Sequence, residues 1–177
     1  MTDYAALIAT CEADTNALRH NLKEAHRLKG KSAHHHELWK RSAAAFREYN
    51  SPLYDLVAQC LRDGLLHDDD LRRFAFAYID QDPYFFRSGY MLESILQRVK
   101  KLSLSPTEKA SLQRLLLNRI ENAALRSFRR ICQLIPMIDS DPLREAVRDR
   151  ARSTDPSVKR RAEFALRYFP TGHHARA

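Results

Sequence analysis

Apolar residues recur along this chain at intervals of three and four positions, the spacing that places them on one face of a helix. The last such segment shows the pattern best, because Val158, Ala162, Ala165 and Phe169 share a face while charged residues occupy the other. Short apolar runs lack the alternation and the flanking turn residues of a strand. The pattern therefore predicts nine helices, at residues 3–29, 33–49, 52–63, 69–80, 83–101, 106–121, 123–135, 142–152 and 156–169.

Prolines mark most of the predicted helix starts. Five of the seven prolines follow a Ser or an Asp, whose side-chain oxygen can accept hydrogen bonds from the free amides of a first helical turn. These pairs are Ser51-Pro52, Asp82-Pro83, Ser105-Pro106, Asp141-Pro142 and Asp155-Pro156. Ser105 and Glu108 also fit a capping box. Gly64 follows the helix that starts at Ser51, in a position that usually takes a left-handed backbone conformation.

Two features of the chain bear on its fold class. Only four of the 177 residues are glycine, which is too few for β-rich folds with many tight turns or for glycine-lined phosphate loops. No residue between Pro106 and Ile135 forces a helix to stop. A break near residues 118–122 and a single helix about 45 Å long are therefore both open for this segment.

Residues 155–166 carry a resemblance to a known repeat. Their sequence, D-P-S-V-K-R-R-A-E-F-A-L, resembles the second helix of a HEAT repeat, roughly D-x-x-V-[KR]-x-x-A-x-x-A-L, and residues 142–152 resemble a shortened first helix. The resemblance covers residues 142–169, about one repeat, and the other helix starts follow no fixed period. We therefore expect one all-α domain over residues 1–177, an irregular stack of about nine helices. It would form either a HEAT/ARM-like α–α superhelix or a compact helical bundle, with residues 170–177 as a flexible tail.

Charge is distributed unevenly along the chain. The whole sequence has 30 Lys and Arg against 22 Asp and Glu, a net charge of +8. Residues 1–99 contain 13 basic and 14 acidic residues, whereas residues 100–177 contain 17 basic and 8 acidic residues. We therefore expect a near-neutral half, 1–99, and a basic HEAT-like half, 100–169, whose field attracts acidic partners.

Arginines of the basic half recur at spacings that place them on common helix faces. A planar guanidinium group binds phosphate or carboxylate through paired hydrogen bonds. The predicted binding residues of this basic patch are Arg119, Arg126, Arg130, Arg144, Arg148, Arg160 and Arg161. Glu145, Asp149 and Glu163 lie three or four positions from several arginines, so ion pairs within an ordinary solvated face are the alternative interpretation.

The cysteines and the lack of targeting patterns bear on the cellular compartment in which we expect the protein. Cys11, Cys60 and Cys132 are odd in number, far apart and embedded in helical patterns, which predicts buried reduced thiols rather than disulfides. The N-terminus has no basic segment followed by an apolar stretch, and no apolar run reaches about 18 residues. We therefore expect a cytoplasmic protein without a membrane partner.

Histidine and aromatic clusters are the remaining candidates for a site. Three consecutive residues of a helix point about 100° apart, so His34, His35 and His36 cannot converge on one metal ion, and we predict no metal site. Trp39, the only tryptophan, is either a core residue or an anchor for a partner. The aromatic cluster of residues 84–90, which contains Tyr84, Phe85, Phe86 and Tyr90, is either core or the floor of a pocket.

Three functional hypotheses follow. The first is a non-enzymatic, cofactor-free binding or scaffold protein whose arginine-rich half engages an acidic protein or a nucleic acid, because no recognisable catalytic motif occurs. The second is an enzyme, since the resemblance to HEAT-like proteins implies a kinship with alkylpurine DNA glycosylases. Such enzymes are expected to place an acidic residue among tryptophans in a basic concave face, whereas Trp39 lies outside the basic half. The third is an interaction or neutralising protein that docks through its N-terminal half, with the histidine run and Trp39 as contacts.

Overall fold

The computed structural model describes residues 2–62, 64–122 and 126–170. Within these ranges the prediction of an all-α fold is confirmed, with ten α-helices, one short 3-10 helix at Gly64–Leu66, and no strand. The α-helices are α1 (Tyr4–Leu28), α2 (Ala33–Glu48), α3 (Pro52–Leu61), α4 (Asp69–Gln81), α5 (Ser88–Val99), α6 (Pro106–Glu121), α7 (Phe128–Cys132), α8 (Ile135–Ile138), α9 (Asp141–Ala151) and α10 (Pro156–Leu166).

Side-chain caps start the helices at most of the Ser-Pro and Asp-Pro pairs. Ser51 caps α3, Asp155 caps α10, and Ser105 with Glu108 forms the predicted capping box of α6. At α9 the cap is Ser140, whose hydroxyl accepts from the amide of Leu143, and Asp141 is the first helical residue. Four of the five predicted starts are therefore correct to within one residue.

Asp82-Pro83 is the exception, and the predicted helix start there is wrong. Asp82 ends α4 in a left-handed conformation, with φ 45°, and its carboxylate pairs with the guanidinium of Arg119 instead of capping a helix. The chain then runs through an irregular segment, and α5 begins at Ser88. The left-handed conformation predicted for Gly64 is also absent. A Cβ there would lie 2.6 Å from Leu71 Cδ1 and 2.9 Å from the carbonyl oxygen of Gln59, so close approach explains this glycine.

The segment from 106 to 135 is not a single helix. α6 ends at Glu121, and the next helix, α7, begins at Phe128. Part of the predicted helix 123–135 lies at residues 123–125, outside the described residues, and its remainder forms α7 and the start of α8. The predicted tail, except Pro170, also lies outside the described residues.

The core lies between α4, α5 and α6. Phe74, Tyr78, Ile95, Leu112 and Leu116 are fully buried there, and α9 with α10 forms a helical hairpin that packs on α6. The three cysteines are free and buried, as predicted. Burial raises the pKa of Cys60 to about 11 and that of Cys132 to about 12, so both thiols stay protonated at neutral pH.

The second half of α1 and all of α2 depart from this packing. Every buried residue of α1 lies in its first half, up to Thr15, and α2 has no buried residue at all. α2 packs mainly against α1. Residues 16–48 therefore form a two-helix hairpin that contributes nothing to the buried core, and we call this hairpin the basic hairpin for the charge described below. The other described residues are called the body.

Candidate functional site

Arg119 is the most deeply placed of the predicted binding residues. Its side chain is 9% exposed and pairs with Asp82, which is 13% exposed. Burial raises the pKa of Asp82, and the charge and hydrogen bonds of Arg119 only partly offset this rise. Asn118 Nδ2 donates to the same carboxylate at 3.2 Å. Arg119 therefore joins α6 to the end of α4 and offers no surface to a partner.

Arg126 and Arg130 share one carboxylate, that of Glu93 on α5. Arg126 Nε donates to Glu93 Oε2 at 2.8 Å, and Arg130 Nε donates to Oε1 at 3.1 Å. Burial opposes ionisation of Glu93, but the two arginines outweigh it and hold the pKa of this carboxyl below its ordinary value. The guanidinium carbon of Arg126 also lies 4.0 Å from the centre of the Tyr90 ring.

The predicted residues on α9 and α10 divide into three kinds. Arg144 forms a two-point contact with Asp139, with Nε 2.7 Å from Oδ1, and Arg148 pairs with Glu145 at 3.5 Å. Arg161 donates to two carbonyl oxygens at the C-terminal end of α6, those of Ile120 at 2.7 Å and Glu121 at 2.9 Å. Arg160 is exposed and makes no ion pair within the described chain.

Ion pairing, the alternative interpretation of these arginines, therefore applies to most of this basic patch, although most of the acids are not the ones three or four positions away. Five of its seven guanidinium groups pair with an acid, those of Arg119, Arg126, Arg130, Arg144 and Arg148. A role of these arginines in binding stays a prediction, but acids of the same chain neutralise most of their charge.

The basic hairpin is a second region with many unpaired positive charges. Residues 16–48 contain eight Lys and Arg and three Asp and Glu, a net charge of +5. Two of the three acids are in pairs one turn apart, Glu24 with Arg27 and Glu37 with Lys40. Six further cations of the hairpin have no ion pair with any described residue: Arg19, Lys23, Lys29, Lys31, Arg41 and Arg47.

Trp39 and the histidines lie near the tip of the basic hairpin. Trp39 is half-buried, with Lys29 Nζ 4.9 Å from its ring centre and His26 and His36 in ring contact. His35 Nδ1 lies 2.7 Å from the hydroxyl of Ser32, the cap of α2. No three metal-ligating side chains cluster anywhere in the described ranges.

A groove of about 550 Å³ opens where the basic hairpin joins the body. Its walls come from distant parts of the chain, since Phe46 lies near the end of α2, Tyr54 on α3 and Met91 on α5. Phe46 and Phe86 meet edge to face with ring centres 5.4 Å apart, and Tyr49 and Tyr54 do so at 6.4 Å. The groove is therefore aromatic on two sides.

Two arginines, Arg47 and Arg87, also line this groove. Both are exposed, and neither forms an ion pair with a carboxylate in the described chain. The guanidinium carbon of Arg87 lies 5.2 Å from the centre of the Phe86 ring. Tyr49 donates to Asp14 Oδ2 at 3.2 Å, so this acid near the groove already has a donor.

The loop that carries Phe86 and Arg87 is fixed at both ends. The amide of Tyr84 donates to Glu12 Oε1 at 3.0 Å, and Asn16 Nδ2 donates to the Tyr84 carbonyl at 2.9 Å. At the other end Ser88 Oγ accepts from the Phe85 amide at 3.1 Å. Arg87 itself adopts φ 70°, a conformation that costs a non-glycine residue free energy and persists only where the surroundings impose it.

The aromatic cluster of residues 84–90 is both core and pocket lining. Phe85 is buried, whereas Tyr84, Phe86 and Tyr90 are exposed, and Phe86 forms a wall of the groove. Sequence reasoning missed the basic hairpin because the charge was counted to residue 99, where acidic neighbours cancel it. Within the two predicted helices 3–29 and 33–49 alone, Lys and Arg outnumber Asp and Glu.

Comparison with known proteins finds none that is similar to this chain. None of the helices in the described ranges is both long and apolar enough to cross a bilayer. The HEAT-like character of residues 142–169 stays a prediction, which is compatible with the helical hairpin that α9 and α10 form. No protein-family model, curated protein or solved structure matches the chain.

Proposed function

We propose that this chain is a binding protein that engages an acidic protein through the basic hairpin. The observation that carries the proposal is the excess of five positive charges on residues 16–48, where only two ion pairs form within the described chain. Such a field accelerates encounter with an oppositely charged surface and disfavours basic partners.

A protein partner is favoured over a nucleic acid by the placement of the aromatic rings. Single-stranded nucleic acids bind where exposed rings alternate with cations and stack on successive bases. On the basic hairpin, Trp39 is already covered by Lys29 and two histidines, and Phe46 faces Phe86 in the groove. The exposed residues of the groove, Phe86 and Arg87, are of the types that are enriched in protein interfaces.

Charge reversal on two surfaces tests the proposal. The variant R19E/K23E places two acids one turn apart on α1, and the matched variant K159E/R160E makes the same change of charge on exposed residues of α10. Binding of a fluorescein-labelled poly-glutamate and of a short labelled DNA duplex is followed by fluorescence anisotropy at several salt concentrations. We expect R19E/K23E to weaken poly-glutamate binding about tenfold and K159E/R160E to change it less than twofold.

Three results would contradict the proposal. If K159E/R160E weakens binding more than R19E/K23E does, the surface is the C-terminal half. If the duplex binds more tightly than poly-glutamate, with a steep loss of affinity as salt increases, the partner is a nucleic acid. If neither probe binds, the basic hairpin has no role as an acid-binding surface.

A further inference from the structure

The groove at the base of the basic hairpin differs from a second large cavity in the described chain. That second cavity, of about 480 Å³, is also lined by two arginines, Arg72 and Arg73. Arg72 Nη2 donates to Glu108 Oε2 at 2.6 Å, and Arg73 pairs with Asp70, so both charges are neutralised inside the fold. In the groove, Arg47 and Arg87 have no such acid. The charge of both arginines is therefore available to a ligand.

The remaining groove lining selects for an apolar ligand. Phe46, Tyr54, Val57 and Met91 contribute apolar surface, and a volume of about 550 Å³ lies within the range of about 300–1,000 Å³ that small-molecule sites occupy. Aromatic and methionine side chains pack against both aliphatic chains and rings. Size and lining together fit a molecule with one apolar chain or ring.

Burial raises the pKa of Tyr54 and that of Tyr49, so both phenols stay neutral and add no negative charge to the groove. Arg87 lies close enough to Tyr54 to counteract part of this rise in the pKa of Tyr54. Arg87 and Tyr54 line the same groove, so the guanidinium charge of Arg87 lies beside its aromatic lining.

We propose that this groove binds an apolar carboxylate, with the hydrocarbon part between Phe46 and Met91 and the carboxylate at Arg47 and Arg87. Guanidinium groups suit this ligand because their N–H donors match a carboxylate in paired hydrogen bonds. The proposal goes beyond the acidic-protein function and does not depend on it. A free aliphatic acid and the C-terminal end of a peptide share this chemistry.

Titration of the isotope-labelled full chain tests the site by the movement of backbone amide resonances. The probes are octanoate with its neutral counterpart octanol, and N-acetylphenylalanine with its amide. We expect the two acids to shift resonances of residues 46–49 and 86–91 and to bind about tenfold more tightly than their neutral counterparts. The tighter of the two acids identifies the source, a free aliphatic acid or a peptide end.

Three variants make the test specific. R47Q and R87Q should each weaken acid binding about tenfold and leave octanol binding unchanged. R41Q, on the same helix as Arg47 but outside the groove lining, should change acid binding less than twofold. R19E/K23E should also leave octanoate binding unchanged, so this test and that of the acidic-protein proposal can fail separately.

The proposal is overturned if octanoate and octanol bind equally, if no resonance of the groove moves at millimolar acid, or if R41Q weakens binding as much as R47Q does. Unchanged amide spectra of the free variants verify that R47Q and R87Q are folded, so a loss of binding reports on the site.

Discussion

The basic hairpin and the body are built from the same kind of amphipathic helix but use their charged residues in opposite ways. In the body, helices pack on several neighbours and bury a core around Phe74, Ile95 and Leu116. In the basic hairpin, α2 has essentially one neighbour and buries no residue. Packing on several sides brings carboxylates of one helix to arginines of another, whereas a pair of helices leaves most cations facing water.

This difference in packing explains why most arginines of the predicted basic patch pair with acids, whereas most cations of the basic hairpin do not. Arg126 and Arg130 meet Glu93 across 33 and 37 residues of sequence, and Arg119 meets Asp82 across 37. Each of these pairs joins two parts of the body that are far apart in sequence. Cations on the basic hairpin find only local acids, such as Glu24 and Glu37, and most of them find none. Net charge by region therefore predicts a binding surface poorly until helix packing is known.

The largest expected effect comes from removing one member of a buried ion pair. R119M leaves the carboxylate of Asp82 buried without its partner, and breaking such a pair costs about 4 kcal/mol of unfolding free energy. R41M makes the same change on the basic hairpin, where the arginine is exposed and unpaired, and should alter stability by less than about 0.5 kcal/mol. Urea denaturation at neutral pH measures both.

A double variant separates the charge from the packing of Arg119. D82N/R119M removes the uncompensated carboxylate, and asparagine tolerates the left-handed conformation of residue 82, so this variant should be more stable than R119M alone. Equal losses in R119M and R41M would contradict the contrast between the two regions.

Local patterns in the sequence account for the helices and for most of their ends. Ser51, Ser105 and Asp155 act as caps because their partners lie two or three residues away, which a sequence displays directly. Asp82 does not cap a helix because its partner, Arg119, lies on another helix. The predicted and observed helix ends thus differ where a tertiary contact competes with a local one.

The candidate sites needed the fold for the same reason. Phe46 and Phe86 form one wall of the groove although forty residues separate them, and no spacing rule connects them. Of the ion pairs within the predicted basic patch, Arg148 with Glu145 is one turn apart and was foreseeable from sequence. Arg144 meets Asp139 across the turn before α9, and the remaining pairs depend on how distant parts of the chain pack, which periodicity does not specify.

A smaller effect is expected from the pH dependence of two glutamates. The hydrogen bond from Arg72 holds the pKa of Glu108 below its ordinary value of 4.5, and Lys40 does the same for Glu37. A carboxyl with a lowered pKa stabilises the folded state fully above its unfolded pKa, and this stability is lost as pH falls through the folded value. Glu108 is 14% exposed, so its charge is worth about 1 kcal/mol at neutral pH.

Glutamine substitution measures this contribution. E108Q keeps a residue type that can complete the capping box of α6 but removes the charge, so its stability deficit should be present at pH 7 and should shrink as the pH falls below 4.5. E37Q changes an exposed carboxylate of the basic hairpin and should show no measurable deficit at either pH. Chemical denaturation measures the free energy of unfolding of the unsubstituted chain, E108Q and E37Q across this pH range. If the deficit of E108Q does not change with pH, the loss is due to helix capping instead of charge.

The smallest effect, and the one of opposite sign, is expected at the junction of the two regions. Arg87 adopts φ 70°, a conformation that glycine accepts without steric cost, so R87G should raise the free energy of unfolding by up to about 1 kcal/mol. The same change removes one of the two guanidinium groups that line the groove. R87G should therefore unfold at a slightly higher urea concentration than the unsubstituted chain while binding octanoate about tenfold more weakly. A loss of stability in R87G would show that the Arg87 side chain serves the fold instead of the groove.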